Sequence, residues 1–201
     1  MTPKKFTSMF RLVAPVAVLA LLGACGGTPT RYYTLAETTP PAAASKAAST
    51  GSAALAIEMA PVALPERFAR PQLVVRRTGG LSLRGTSDSE VEVLEQSRWS
   101  SSFEYELRDA LASGGGRRLA GFRATKAGRP RGIPVYRISV QVSEFDAQPG
   151  TRVDSAFGWS IRRGDGDALL TCQLRLSEAV SGGVDGVAAG AQRITGRLAD
   201  E

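Results

Sequence analysis

The stretch Tyr136-Arg137-Ile138-Ser139-Val140-Gln141-Val142-Ser143 alternates apolar and polar residues without a break. Strand side chains point to opposite faces with a period of two. Tyr136, Ile138, Val140 and Val142 therefore face one way, and Arg137, Ser139, Gln141 and Ser143 the other. Pro149-Gly150 marks a turn beyond it, and Val153, Phe157, Trp159 and Ile161 carry the next strand. Gly164-Asp165-Gly166-Asp167 then turns the chain back into Ala168–Ser177, the composition of a hairpin. A long central hairpin is expected.

Working outward, Arg31-Tyr32-Tyr33-Thr34-Leu35 is a short β-like stretch, and Glu37–Ser52 is a Pro/Ala/Ser/Thr-rich spacer. Ala54–Leu64 reads as a strand, with Leu55, Ile57 and Met59 alternating and Pro61 and Pro65 marking its end. Gln72–Arg76 follows Pro71, and Ser89–Leu94 alternates again. Ser101 with Glu104 fits a capping box. Phe103, Leu107, Ala110 and Leu111 share one face of the helix it opens, and Gly114-Gly115-Gly116 is expected to stop that helix. A last helix carries Val184, Val187, Ala188, Ala191, Ile194 and Leu198. There is no internal repeat. The pattern predicts an α+β fold: a mostly antiparallel sheet with two helices packed on one face.

The 201 residues hold 25 Lys+Arg, 19 Asp+Glu, two Cys and no His. Without His there is no Ser-His-Asp triad, no Cys-His pair and no imidazole ligand for a metal. Two Cys build neither a zinc cage nor a disulfide scaffold. The formal charge of +6 invites a nucleic-acid reading, but Lys4, Lys5 and Arg11 belong to an N-terminal address. They precede the apolar run Leu12–Leu22, which is too short to span a bilayer, and small residues follow. This is the layout of an export signal. Without it 22 bases face 19 acids, a net of +3, and an exported protein does not meet nucleic acid. The expected plan is a signal peptide over 1–24, then a lipidated N-terminus with short strand and spacer over 25–53. A periplasmic α+β domain over 54–201 completes it.

Leu22-Gly23-Ala24-Cys25 resembles the bacterial lipobox. The resemblance implies that Cys25 receives a diacylglycerol thioether and that its freed amine is acylated as well, for instance with palmitate. Two or more chains anchor stably where one does not. Gly26 rather than Asp follows, which implies the inner leaflet of the outer membrane. The other cysteine, Cys172, alternates with Leu170, Leu174 and Leu176 and is expected to be buried and inert.

Two carboxylate pairs, Glu144 with Asp146 and Asp165 with Asp167, have the residue types of acid–base catalysis. The second pair sits in a turn, where Asp and Gly serve the backbone, and the first lies at a strand end beside Phe145. Arg163-Gly164-Asp165 spells an adhesion tripeptide that turn chemistry also explains. Gly114-Gly115-Gly116 lacks the Lys-Ser/Thr of a phosphate loop. No cofactor or metal is expected. Asp88–Asp109 carries seven acids and two bases, and Arg117–Arg137 seven bases and no acid. The two blocks could neutralise each other on one molecule or join neighbouring subunits head to tail in a homo-oligomeric ring. The basic block could also touch anionic headgroups.

An ordered set of short motifs runs through the mature chain: Tyr32-Tyr33-Thr34-Leu35, Pro61-Val62-Ala63-Leu64-Pro65, Arg70-Pro71-Gln72, Arg98-Trp99, Phe145-Asp146 and Trp159. This set resembles the ABC-type transport auxiliary lipoprotein family. The resemblance implies a non-enzymatic subunit of a trans-envelope lipid transport system. It would dock a periplasmic MCE-domain (mammalian cell entry) protein at the outer membrane and help maintain membrane integrity. The motif residues Tyr33, Leu64, Pro65, Arg70, Pro71, Gln72, Trp99, Asp146 and Trp159 read as structural, with Cys25 the lipid attachment site. The alternatives are a periplasmic lipid-binding carrier and a carboxylate-based hydrolase.

Overall fold

The computed structural model describes residues 28–36, 55–77, 89–118, 122–123, 132–164, 166 and 169–201. The signal segment, Cys25, the spacer, Asp165 and Asp167 lie outside them. The chain divides into Met1–Thr30 and Arg31–Glu201, and the second unit carries the fold. Its elements are β1 (Arg31–Tyr33), β2 (Ala56–Met59), β3 (Gln72–Arg76), β4 (Val91–Trp99), α1 (Phe103–Arg118), β5 (Phe122–Arg123), β6 (Val135–Gln148), β7 (Arg152–Arg163), β8 (Leu169–Ala179) and α2 (Val184–Asp200).

The strands form two sheets, ordered β1-β4-β3 and β5-β2-β6-β7-β8. The α+β class with two helices stands, but the sheets are mixed rather than mostly antiparallel. β1 runs parallel to β4, and β2 runs parallel to both β5 and β6. Only β3–β4 and the meander β6-β7-β8 are antiparallel. The reason is the crossover. Between β2 and β6 the chain builds β3, β4, α1 and β5, enough to bring it back in the same direction.

β6 carries a register shift between Val142 and Glu144 in its pairing with β7. Before it, Val140 and Val142 are buried; after it, Phe145 and Ala147 are. An extra residue in one strand re-aims the alternation that follows. Phe145 thereby reaches Phe68 at 5.7 Å and Phe103 at 4.9 Å between ring centroids. Asp146, facing away, accepts from Arg76 Nε of β3 at 2.7 Å and from Gln148 Nε2 at 3.1 Å. The second sheet is joined to the first along this strand.

α1 and α2 pack against each other and over the five-stranded sheet. α1 buries Phe103, Leu107, Ala110 and Leu111, the face expected from their spacing. It does not stop at the glycines but runs through them to Arg118. Each interior Gly costs a helix about 1 kcal/mol, a sum that burial of this face offsets. Ser101 forms no capping box with Glu104: its hydroxyl donates to Glu106 (3.1 Å).

Cys172 is exposed, not buried. α2 covers the end of β8 where Leu176 and Val180 lie, and leaves Leu170 59% exposed at the other end. The alternation along β8 is real, but no helix reaches its first half. Where α2 does cover the sheet, Gly190 makes the approach possible. A Cβ there would lie 2.5 Å from Val180 Cγ1 and 3.3 Å from Val153 Cγ2. Gly190→Ala is therefore expected to destabilise the domain by about 1–3 kcal/mol. In urea unfolding this should lower the midpoint and leave the slope unchanged.

Candidate functional site

The most heavily bonded side chain on the described surface-to-core boundary is Glu106, in the first turns of α1. It is 8% exposed, and a carboxylate so placed must recover the hydrogen bonds it loses from water. Thr34 Oγ1 donates to it at 2.8 Å, Leu35 N at 3.0 Å, Ser100 Oγ at 2.5 Å and Ser101 Oγ at 3.1 Å. Burial pushes its pKa up, but these donors more than offset burial and hold it below the ordinary value. A glutamate three residues after Phe103 and one before Leu107, on the apolar face of the helix, was the readable signal. Sequence reasoning passed it over for Glu104.

The same N-terminal strand is tied to α2. Tyr33 OH donates to Asp185 Oδ1 at 2.8 Å, and Arg31 contacts both Asp185 oxygens at 2.8 and 3.0 Å. Gln192 Nε2 donates to the Thr34 carbonyl at 2.7 Å, and Ser100 N to the Tyr33 carbonyl at 2.7 Å. Tyr33 is raised by burial and by its bond to Asp185; Asp185 is lowered, first by that same bond. Both shifts favour a neutral phenol donating to an ionised carboxylate. Leu35 closes the strand, 1% exposed in the core.

The other motif residues hold backbone in place. Pro65 precedes the 3₁₀ turn Glu66–Phe68 and its carbonyl accepts from Phe68 N at 2.9 Å. Leu64 packs against the core. Pro71 accepts from Trp99 N at 2.7 Å, and Gln72 Nε2 donates to Glu95 at 3.3 Å. Arg70 is exposed. Trp99 is buried against Phe103, centroids 5.4 Å apart, and Trp159 is half-buried on β7.

The carboxylates do not converge. Asp146 is held by Arg76, while Glu144 pairs with Arg175 at 2.8 Å. Among the described residues no group of three or more His, Cys, Asp or Glu side chains could hold a metal ion. Of the acidic block, Glu90 pairs with Arg77 and Glu95 with Arg98 within their own sheet. Arg137 of the basic block meets Glu58 at 3.9 Å, and residues 124–131 lie outside the described residues.

The model of the ABC-type transport auxiliary lipoprotein component matches residues 33–201, beginning at Tyr33 and taking in every element from β2 to α2. The chain belongs to this family. It is a transport auxiliary lipoprotein family and not an enzyme family. No curated protein matches the sequence. Two solved structures share its fold. One is an uncharacterized protein, 14% identical, with 86% of this chain and 95% of that one covered at a TM-score of 0.62. The other is XCC0632 from Xanthomonas campestris, of family DUF330, 11% identical, with 85% and 90% covered at 0.59. Among the described residues no helix is long and apolar enough to cross a membrane.

Removing the Glu106 carboxylate would strand the buried Leu35 N–H. Glu106→Ala should cost about 1–3 kcal/mol and speed hydrogen exchange at Leu35 more than in β7. The pH dependence has a definite sign. With a folded pKa below its unfolded value, Glu106 stabilises the fold above the ordinary value of 4.5. That stability is lost as the pH falls through the lowered value. Acid unfolding curves should therefore be shallower for Glu106→Gln than for the parent; identical slopes would contradict the assignment.

Proposed function

We propose that this protein is the outer-membrane-anchored lipoprotein subunit of an MCE-type trans-envelope lipid transport system. It docks the periplasmic component at the outer membrane and so helps keep the membrane intact. The observation that carries the reading is family membership over residues 33–201 directly downstream of Leu22-Gly23-Ala24-Cys25. Residues 1–24 are the signal peptide in this reading. Cys25 carries the acyl chains, and Gly26 directs the protein to the inner leaflet of the outer membrane. The side chains described fit a docking part better than a catalyst, since Glu144 and Asp146 each neutralise an arginine.

A second reading, a lipid carrier, draws on one feature. Past the reach of the helices the sheet leaves an apolar trough of ≈ 660 Å³ lined by Ile57, Ile138, Ile161, Leu169 and Leu170, a size suited to a small ligand. Native mass spectrometry of the delipidated domain separates the two, because co-purifying phospholipid favours the carrier.

Crosslinking in cells followed by purification of the anchored protein should retrieve an MCE-domain protein, and its absence would sink the docking role. Cys25→Ala should leave the protein soluble in the periplasm; persistent membrane association would refute the anchor. If the acidic and basic blocks join copies into a ring, sedimentation should show an oligomer at low salt that dissociates at high salt. A monomer at both salts rules the ring out.

A further inference from the structure

Arg31–Leu35 is held by more of the fold than a three-residue edge strand requires. β4 pairs with it from Arg31–Ser97 to Tyr33–Trp99. α1 grips it through Glu106, and α2 through Asp185 and Gln192. Three separate elements would have to release it before it could leave the domain.

The sequence makes this attachment consequential. Only Gly26-Gly27-Thr28-Pro29-Thr30 stand between Cys25 and Arg31. A chain spans at most ~3.3–3.6 Å per residue, so the covalent reach from Cys25 to β1 is about 20 Å. Were β1 free, the next strand to hold the chain would be β2, starting at Ala56, and the reach would grow to about 100 Å. The grip on β1 thus changes the permitted distance between anchor and domain about fivefold.

We propose that Arg31–Leu35 is a clasp that holds the domain on a short leash. The end of the domain carrying β1 then rests at the bilayer surface, with Tyr32 in the headgroup layer. This rests on the lipidation of Cys25 in the reading above. Tyr32 is 66% exposed while its neighbour Tyr33 turns inward to Asp185. Tyrosine settles at membrane–water interfaces, where its ring is covered and its hydroxyl stays wet. Arg31 shares its charge with Asp185, so the tether rather than an excess of positive charge brings this face to lipid. One headgroup layer is about 5–8 Å thick, less than the covalent reach of about 20 Å from Cys25 to β1. The two lengths place Tyr32 within the layer's reach.

The test uses full-length acylated protein in vesicles of phosphatidylethanolamine and phosphatidylglycerol that contain a headgroup-nitroxide lipid. In a Cys172→Ser background, Tyr32→Cys carries a fluorophore, because the Cys25 thiol is consumed by its thioether. Quenching should be strong, and should fall roughly tenfold when about twenty Gly/Ser residues are inserted after Gly27, since local concentration drops as about the −3/2 power of tether length. The insertion lies outside the folded unit and leaves its stability untouched, which circular dichroism checks. A fluorophore on the domain itself, at Tyr105→Cys of α1 (50% exposed), reads the clasp, because a label at position 32 stays near the anchor however β1 is held. Its quenching should fall without an insertion when Tyr33→Phe, Thr34→Val, Asp185→Asn and Gln192→Ala together weaken the ties of β1 to both helices. Equal quenching with and without the insertion overturns the leash, as does no quenching in acylated protein. An N-terminal peptide mass without acyl chains overturns the lipidation reading itself, so the two failures are distinguishable.

Discussion

A carboxylate withdrawn from water must have its lost hydration replaced donor by donor, and Glu106 is the place where this fold meets that demand. Its donors come from two stretches far apart in sequence: Thr34 and Leu35 at the end of β1, and Ser100 and Ser101 in the turn from β4 to α1. Satisfying one buried charge therefore fixes where the first strand ends, how β4 hands over to α1, and how both meet the core at Leu35. Trp99 and Phe103, on either side of that turn, stack against each other and on toward Phe145. The polar tie and the aromatic cluster hold the same junction.

The register shift in β6 does the comparable service for the sheets. Val140 and Val142 before it and Phe145 and Ala147 after it stay on one buried face, opposite Trp159, Phe157, Ser155 and Val153 of β7. Asp146 points the other way, to Arg76. A domain built in this manner has its N-terminal strand bound to both helices and its two sheets bound along one strand. Along that strand Glu144 and Asp146 are each neutralised by an arginine.

Much of the architecture was legible because hydrophobic period is a local property. The long strands, the Pro149-Gly150 turn, the apolar faces of both helices and the 184–200 helix all followed from spacing alone. The misreadings share one cause: each depended on what lies opposite. Gly114-Gly115-Gly116 reads as a stop unless burial of the helix around it is known. Cys172 reads as core unless one knows that α2 reaches Leu176 but not Leu170. The parallel pairing of β2 with β5 and β6 depends on how a whole crossover packs. At the candidate site, Tyr33 was readable as a motif residue, whereas its partner Asp185 and the satisfied Glu106 were not, since their donors are separated by 152 and 71 residues.

The sequence by itself determined the α+β class, the period of each long element and the family resemblance, because those are written in residue types at fixed local spacings. Only the tertiary structure decided that β1 belongs to the folded unit, that an extra residue in β6 moves its buried positions from even to odd numbers, and that Glu106 rather than Glu104 accepts from the turn before α1. The physical reason is that a hydrogen-bond donor or a covering helix is supplied by chain that is distant in sequence. Local pattern states which face seeks cover; tertiary packing settles which faces receive it.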